Sequence, residues 1–123
     1  MSSNKIAKVK EFNEILESLL VQMSPIIGTT YHKKFVMIIK LNAMMPIKSF
    51  ITRSVPFREK IINRDETYFE TDTAVNTLDV NAKYINNILQ LQNIYTKLDK
   101  TSRDNVWQIF QCMLVLAEEW KEM

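Results

Sequence analysis

At 123 residues, with 46% hydrophobic and 24% charged side chains, the chain reads as one domain able to bury a core unaided rather than as a disordered segment. Cys112 is the only cysteine and His32 the only histidine, which excludes an intrachain disulfide, a multi-cysteine zinc site and a His-rich metal site. The net charge of +2 conceals a split: residues 1–64 hold 11 Lys/Arg against 4 Asp/Glu, a surplus of +7, while residues 65–123 hold 5 against 10, or −5. Such a split suits either a basic face for an anionic partner or two halves of one bundle that attract each other.

The opening MSSNKIAKVKEF lacks the apolar core of a signal peptide, and no N-glycosylation triplet occurs. No apolar run approaches the ~18–20 residues of a membrane span. These features predict an intracellular, non-secreted protein. One glycine and three prolines favour long helices over a many-turned β fold.

In chain order, Ile6, Val9, Phe12, Leu16, Leu19, Leu20 and Met23 recur every three or four residues and predict an amphipathic helix. Ser24-Pro25 disfavours its continuation, and Gly28 falls in the connection. Thr29 or Thr30 can cap a second helix running to about Met45. Its apolar residues, Phe35, Met37, Ile38, Ile39, Leu41, Met44 and Met45, occupy more than one face, which predicts a central helix. Pro46 ends it or opens a short segment with Ile47, Phe50 and Ile51. Pro56 suits the first turn of another helix, with Ser54 as its cap and Phe57, Ile61 and Ile62 inside. Residues 70–80 read as the main loop. Tyr84, Ile85, Ile88, Leu91, Ile94 or Tyr95, and Leu98 form a further stripe. Thr101 or Ser102 can cap a last helix whose wide apolar face is Val106, Trp107, Phe110, Met113, Leu114, Ala117 and Trp120. The expected architecture is all-α, a compact single-domain bundle of about five helices closed by a C-terminal antiparallel helical hairpin.

Catalytic chemistry finds little support. Cys112 lies in the apolar segment QCMLVLA and reads as a small buried hydrophobe, and His32 as an exposed first-turn residue beside two lysines. Asp65 and Glu66 are neighbours, so on a helix they point about 100° apart and do not converge on one metal. Arg64, Asp65 and Glu66 are instead expected to form a polar cluster that fixes a helix end, with Phe57, Ile61 and Phe69 in the core. A catalytic reading would gain if Asp65 or Glu66 stood in a cleft with other acids or arginines, and would lose if they capped or paired locally. No glycine-rich loop supports phosphate binding, and no cofactor or small-molecule ligand is indicated.

Nucleic acid is the rival partner. Lys33, Lys34, Lys40, Lys48, Arg53, Arg58 and Lys60 cluster within about thirty residues, with Tyr31, Phe35, Phe50 and Phe57 among them. No readout motif accompanies them, so any such binding would be independent of sequence. Trp120, near the chain end, is a candidate interface anchor for a protein partner or for self-association.

Two segments carry a resemblance. VPFREKIINRDETYF, residues 55–69, places Pro56, Phe57, Ile61, Arg64, Asp65, Glu66, Tyr68 and Phe69 in a phrase of the type P-[FY]-x-x-x-I-x-x-R-D-E-x-[FY]-F. NIYTKLDKTSRDNVWQIFQCMLVLAEEW, residues 93–120, adds Leu98, Val106, Trp107, Phe110, Leu114 and Leu116 in a helical pattern. Together they resemble small uncharacterised helical proteins of nucleocytoplasmic large DNA viruses. The resemblance implies a viral origin, with the host cytoplasm or the virion as location, and implies no catalytic motif. The function expected from all of this is that of a non-enzymatic helical interaction or structural protein. The alternative is a sequence-independent nucleic-acid binder using residues 33–64.

Overall fold

A computed structural model describes residues 3–70, 79–91 and 94–123. They form six α-helices: α1 (Ser3–Ile27), α2 (Thr30–Leu41), α3 (Met45–Arg53), α4 (Arg58–Ile62), α5 (Val80–Gln90) and α6 (Lys100–Glu122). Short 3-10 turns stand at Val55–Phe57, Glu66–Glu70 and Tyr95–Lys97. The expected all-α bundle is therefore observed, with six α-helices where the sequence suggested about five. Most of the expected main loop, residues 71–78, lies outside the described residues.

α1 runs through Pro25 to Ile27 instead of stopping before it. Proline costs a helix one backbone donor. Here the Ser24 hydroxyl donates to the Val21 carbonyl at 2.7 Å, supplying the bond that Pro25 cannot make. Gly28 then ends the helix at φ 81°, its N–H donating to the Ser24 carbonyl at 2.8 Å. That left-handed stop suits glycine, which has no Cβ to strain.

Val9, Phe12, Leu16, Leu19, Leu20 and Met23 are buried as the stripe predicts, but Ile6 is exposed. The second predicted helix divides in two: α2 ends at Leu41, and α3 leaves at a bend of 107°. α2 is peripheral rather than central. Only Phe35 and Ile38 are buried on it, while Met37 and Leu41 face outward. The hub is α3, which touches α1, α2, α5 and α6. Its Phe50 sits edge-on to Phe12 of α1 (5.5 Å between centroids) and to Phe110 of α6 (6.2 Å).

The end of the bundle also differs from expectation. α5 packs chiefly on α3, and α6 finds its long partner in α1, not in a hairpin with α5. Lys8 of α1 meets Glu119 of α6 at 3.4 Å, and Gln22 of α1 bonds Asn105 of α6, so the two helices run antiparallel. One cluster of buried side chains draws on all six helices. No single helix among the described residues is long and apolar enough to cross a membrane.

Candidate functional site

Arg64, Asp65 and Glu66 follow α4 directly. The Asp65 N–H donates to the Lys60 carbonyl at 2.8 Å, and the Arg64 N–H to the Ile61 carbonyl at 3.2 Å. This pair of bonds is a Schellman stop, with Arg64 at φ 52° where glycine is the usual residue. Gln111 of α6 reinforces it, donating to the Ile61 and Ile62 carbonyls at 3.2 and 3.3 Å. Asp65 then accepts from the Thr67 hydroxyl at 2.7 Å and the Thr67 N–H at 3.0 Å, starting the next 3-10 turn. Those two bonds hold its carboxyl below the ordinary carboxylate range. Arg64 and Asp65 thus make the specific polar contacts expected at a helix end.

The 3-10 turn drives two aromatic rings inward. Tyr68 is fully buried, its hydroxyl 2.6 Å from that of Ser54, which is equally buried. Ser54 consequently serves Tyr68 rather than capping the next helix. Burial pushes the Tyr68 phenol above its usual pKa. Phe69 stacks on Tyr95 (4.4 Å) and packs against Trp107 (5.0 Å). Ile61 is fully buried, whereas Phe57 and Phe69 are half-buried against the core and Ile62 is exposed.

Glu66 faces the start of α6 across a hollow of about 470 Å³ that also involves Arg64, Tyr95, Lys100, Arg103 and Asp104. Trp107 Nε1–H donates to Tyr95 Oη at 2.9 Å, and Tyr95 O–H donates to Glu66 Oε1 at 3.2 Å. Arg103 stands 3.7 Å from the same Glu66 oxygen and lies over the Tyr95 ring at 5.1 Å, while Arg64 stands 3.6 Å from Asp104. Each carboxylate therefore faces its own guanidinium, and the Arg64–Asp104 pair joins the basic and acidic halves of the chain. Asp65 caps locally; Glu66 does stand in a cleft with arginines and a second acid. The groups of that cleft are largely spent on one another, which makes it an ion-paired seam between α4 and α6.

The seven basic candidates separate by environment. Arg53 is 1% exposed, its guanidinium 5.6 Å from the Tyr68 ring, so it belongs to the interior and not to a phosphate-binding face. Arg58 is held by Glu118 at 3.3 Å and by Glu59 at 3.2 Å. Lys60 donates to the Thr67 hydroxyl at 2.6 Å, and Lys34 covers the Tyr84 ring at 4.7 Å. Lys33, Lys40 and Lys48 are exposed and make no ion pair among the described residues. Trp120 is only 8% exposed and lies beneath Lys5 at 4.7 Å, inside the α1–α6 contact instead of on an open surface. Cys112 is exposed, contrary to the expectation of a buried thiol, and His32 pairs with Glu17 at 3.4 Å. Among the described residues, no three His, Cys, Asp or Glu side chains are grouped so as to hold a metal ion.

The surface that sequence reasoning missed is the outer face of α2. Lys33, Met37, Lys40 and Leu41 recur there at i, i+4, i+7 and i+8, one side of a helix. Met37 is 64% exposed and Leu41 78%. On another side of α2, roughly 160° round the helix from Met37 and Leu41, Ile39 lines an apolar groove of about 320 Å³ with Ala43 and with Ile6 and Val9 of α1. Asn13 braces this groove, donating to the Ala43 carbonyl at 2.8 Å, and Lys10, Glu14 and Glu17 rim it. The signal lies in the excess of apolar residues on α2, which in the sequence alone reads as a helix with additional buried neighbours. No family model, curated protein or solved structure matches the chain.

Proposed function

We propose that this is a non-enzymatic helical interaction protein that binds another protein through the outer face of α2. One observation carries the reading: Met37 and Leu41 stand 64% and 78% exposed on one helix face. Isolated exposed apolar residues are ordinary, but apolar anchors at helical spacing are how helices meet partners. The non-enzymatic part rests on the pairing of Glu66 and Asp104 with Arg103 and Arg64, which engages both carboxylates of the hollow near α6. A source in a large DNA virus rests on the resemblance of residues 55–69 and 93–120 alone.

A photocrosslinker placed at position 41 tests the reading in extracts of the native host. It should trap protein, and the same group at the exposed Lys97 should not. Equal trapping from both positions, or trapping of nucleic acid alone, would overturn it.

The runner-up, sequence-independent binding of nucleic acid, keeps Lys33, Lys40 and Lys48, which are exposed and make no ion pair among the described residues. Three phosphate contacts correspond to a log–log salt slope of about −3 on duplex DNA. An anisotropy titration showing no binding at low salt removes this alternative.

A further inference from the structure

We infer that the outer face of α2 receives an acidic amphipathic helix of another protein. The inference rests on the reading of that face as a protein-binding surface and names the partner's chemistry. At about 100° per residue, Phe35 and Ile38 turn to the core, while Met37 and Leu41 stand about 40° apart on the exposed side. Lys33 and Lys40 border this apolar strip next to Met37, and Lys34 borders it on the other side, about 20° past Leu41. All three lysines are exposed and make no ion pair among the described residues. α2 itself carries no Asp or Glu.

An apolar seam with cations along both edges is how one helix selects opposite charges on the flanks of another. The lysine stems widen the apolar contact while their ammonium groups reach past it. A partner helix with two apolar side chains at i and i+4, bordered by Asp or Glu, fits both the strip and its edges. A phosphate backbone would meet the lysines and leave Met37 and Leu41 in water. A bilayer calls for a broad apolar face, whereas the lysines confine this strip to about 40°.

Fluorescence anisotropy on the full chain tests this, with a labelled helical peptide carrying leucines at i and i+4 and glutamates beside them. The peptide should bind, and more weakly as salt rises. The same peptide with lysine in place of each glutamate should bind at least about tenfold more weakly. Lys33→Glu combined with Lys40→Glu should weaken the acidic peptide at least about tenfold and raise binding of the basic one, a gain that a damaged fold does not give. Met37→Ala with Leu41→Ala should also weaken the acidic peptide, and Lys97→Glu, at another exposed lysine, should leave it unchanged. No binding of the acidic peptide, or equal binding of both peptides, overturns the inference. So does a crosslink from position 41 to a second copy of the purified chain, or binding of phosphatidylserine vesicles in place of the peptide. If the acidic peptide fails yet position 41 still traps a different protein in host extracts, the partner's chemistry is wrong and the protein-binding reading stands. Salt-dependent binding of an oligothymidylate that the double reversal abolishes, with no binding of either peptide, overturns both.

Discussion

Arg64 occupies a left-handed position at φ 52° where a side chain costs about 1–2 kcal/mol of backbone strain. Its return is a guanidinium 3.6 Å from Asp104, an exposed pair of the kind that contributes about 0–1 kcal/mol. Glycine removes the strain but adds unfolded-state entropy, while a β-branched residue increases the strain. The stability order Arg64→Gly above wild type above Arg64→Val is therefore expected in urea titrations, with a gain of about 0.5 kcal/mol and a loss of about 1–2 kcal/mol. Ser54 and Tyr68 present a different case, since both are fully buried and share one hydrogen bond of 2.6 Å. Tyr68→Phe leaves a buried hydroxyl unmatched and should cost about 1–3 kcal/mol. Adding Ser54→Ala should cost less than the sum of the two single changes, because the unmatched group is then gone; a double-mutant cycle reads this directly. The polar role of Arg64 and Asp65 was legible in the sequence because helix ends need local partners. The burial of Arg53 was not, because an arginine reads as surface charge until a neighbouring element closes over its stem.

Three of the described helical elements start on a carboxylate, among them α5, whose Asp79 accepts from the Asn81 N–H at 2.9 Å and the Ala82 N–H at 3.3 Å. Asp99 caps α6 by accepting from the Ser102 N–H at 2.8 Å, and Asp65 caps the Glu66–Glu70 turn through Thr67. The sequence placed the α6 cap at Thr101 or Ser102, within reach of the right turn but two or three residues late, because several capping residues stand in a row there. Bonds from Ser102 and Thr67 hold both carboxyls below their ordinary value of 3.8. A depressed folded-state pKa contributes stability that is present above the unfolded value and lost as pH falls through the folded one. Melting temperature should therefore drop on acidification below about pH 4. The double variant Asp65→Asn and Asp99→Asn keeps hydrogen-bonding caps and should show a shallower drop over the same range. At the far end of α6, Trp120 fills the contact with α1, and its Nε1–H has no partner among the described residues. Trp120→Ala should cost about 3–5 kcal/mol, whereas Trp120→Phe, which also removes the buried donor, should cost under about 1 kcal/mol. A Trp120→Ala loss below that of an ordinary surface change would return the residue to the candidate interface.

For the whole molecule, the decisive contact is α1 against α6, which brings residues near the two ends of the chain together. One aromatic line, Phe12 to Phe50 to Phe110, joins α1, α3 and α6, and Phe69 and Tyr68 tie the 3-10 turn to its last member. A core shared in this way should unfold as one unit. Helix loss followed by circular dichroism and tryptophan emission from Trp107 and Trp120 should therefore give coincident urea transitions. Separated midpoints would show that α5 and the turns around it unfold independently. The sequence by itself determined the helical class, the apolar stripes of α1 and α6, and the polar stop after α4, because periodicity and capping are local physics. It could not determine which stripe meets which. α5 and α6 are neighbours in the chain and both amphipathic, yet α5 lies on α3 and α6 on α1. Burial is non-directional, so any two apolar faces satisfy it, and only the packed shape selects among pairings. The same reason hid the outer face of α2. Its apolar residues looked like core until the tertiary structure left Met37 and Leu41 without a neighbour, and that choice turns a packing residue into a candidate binding surface.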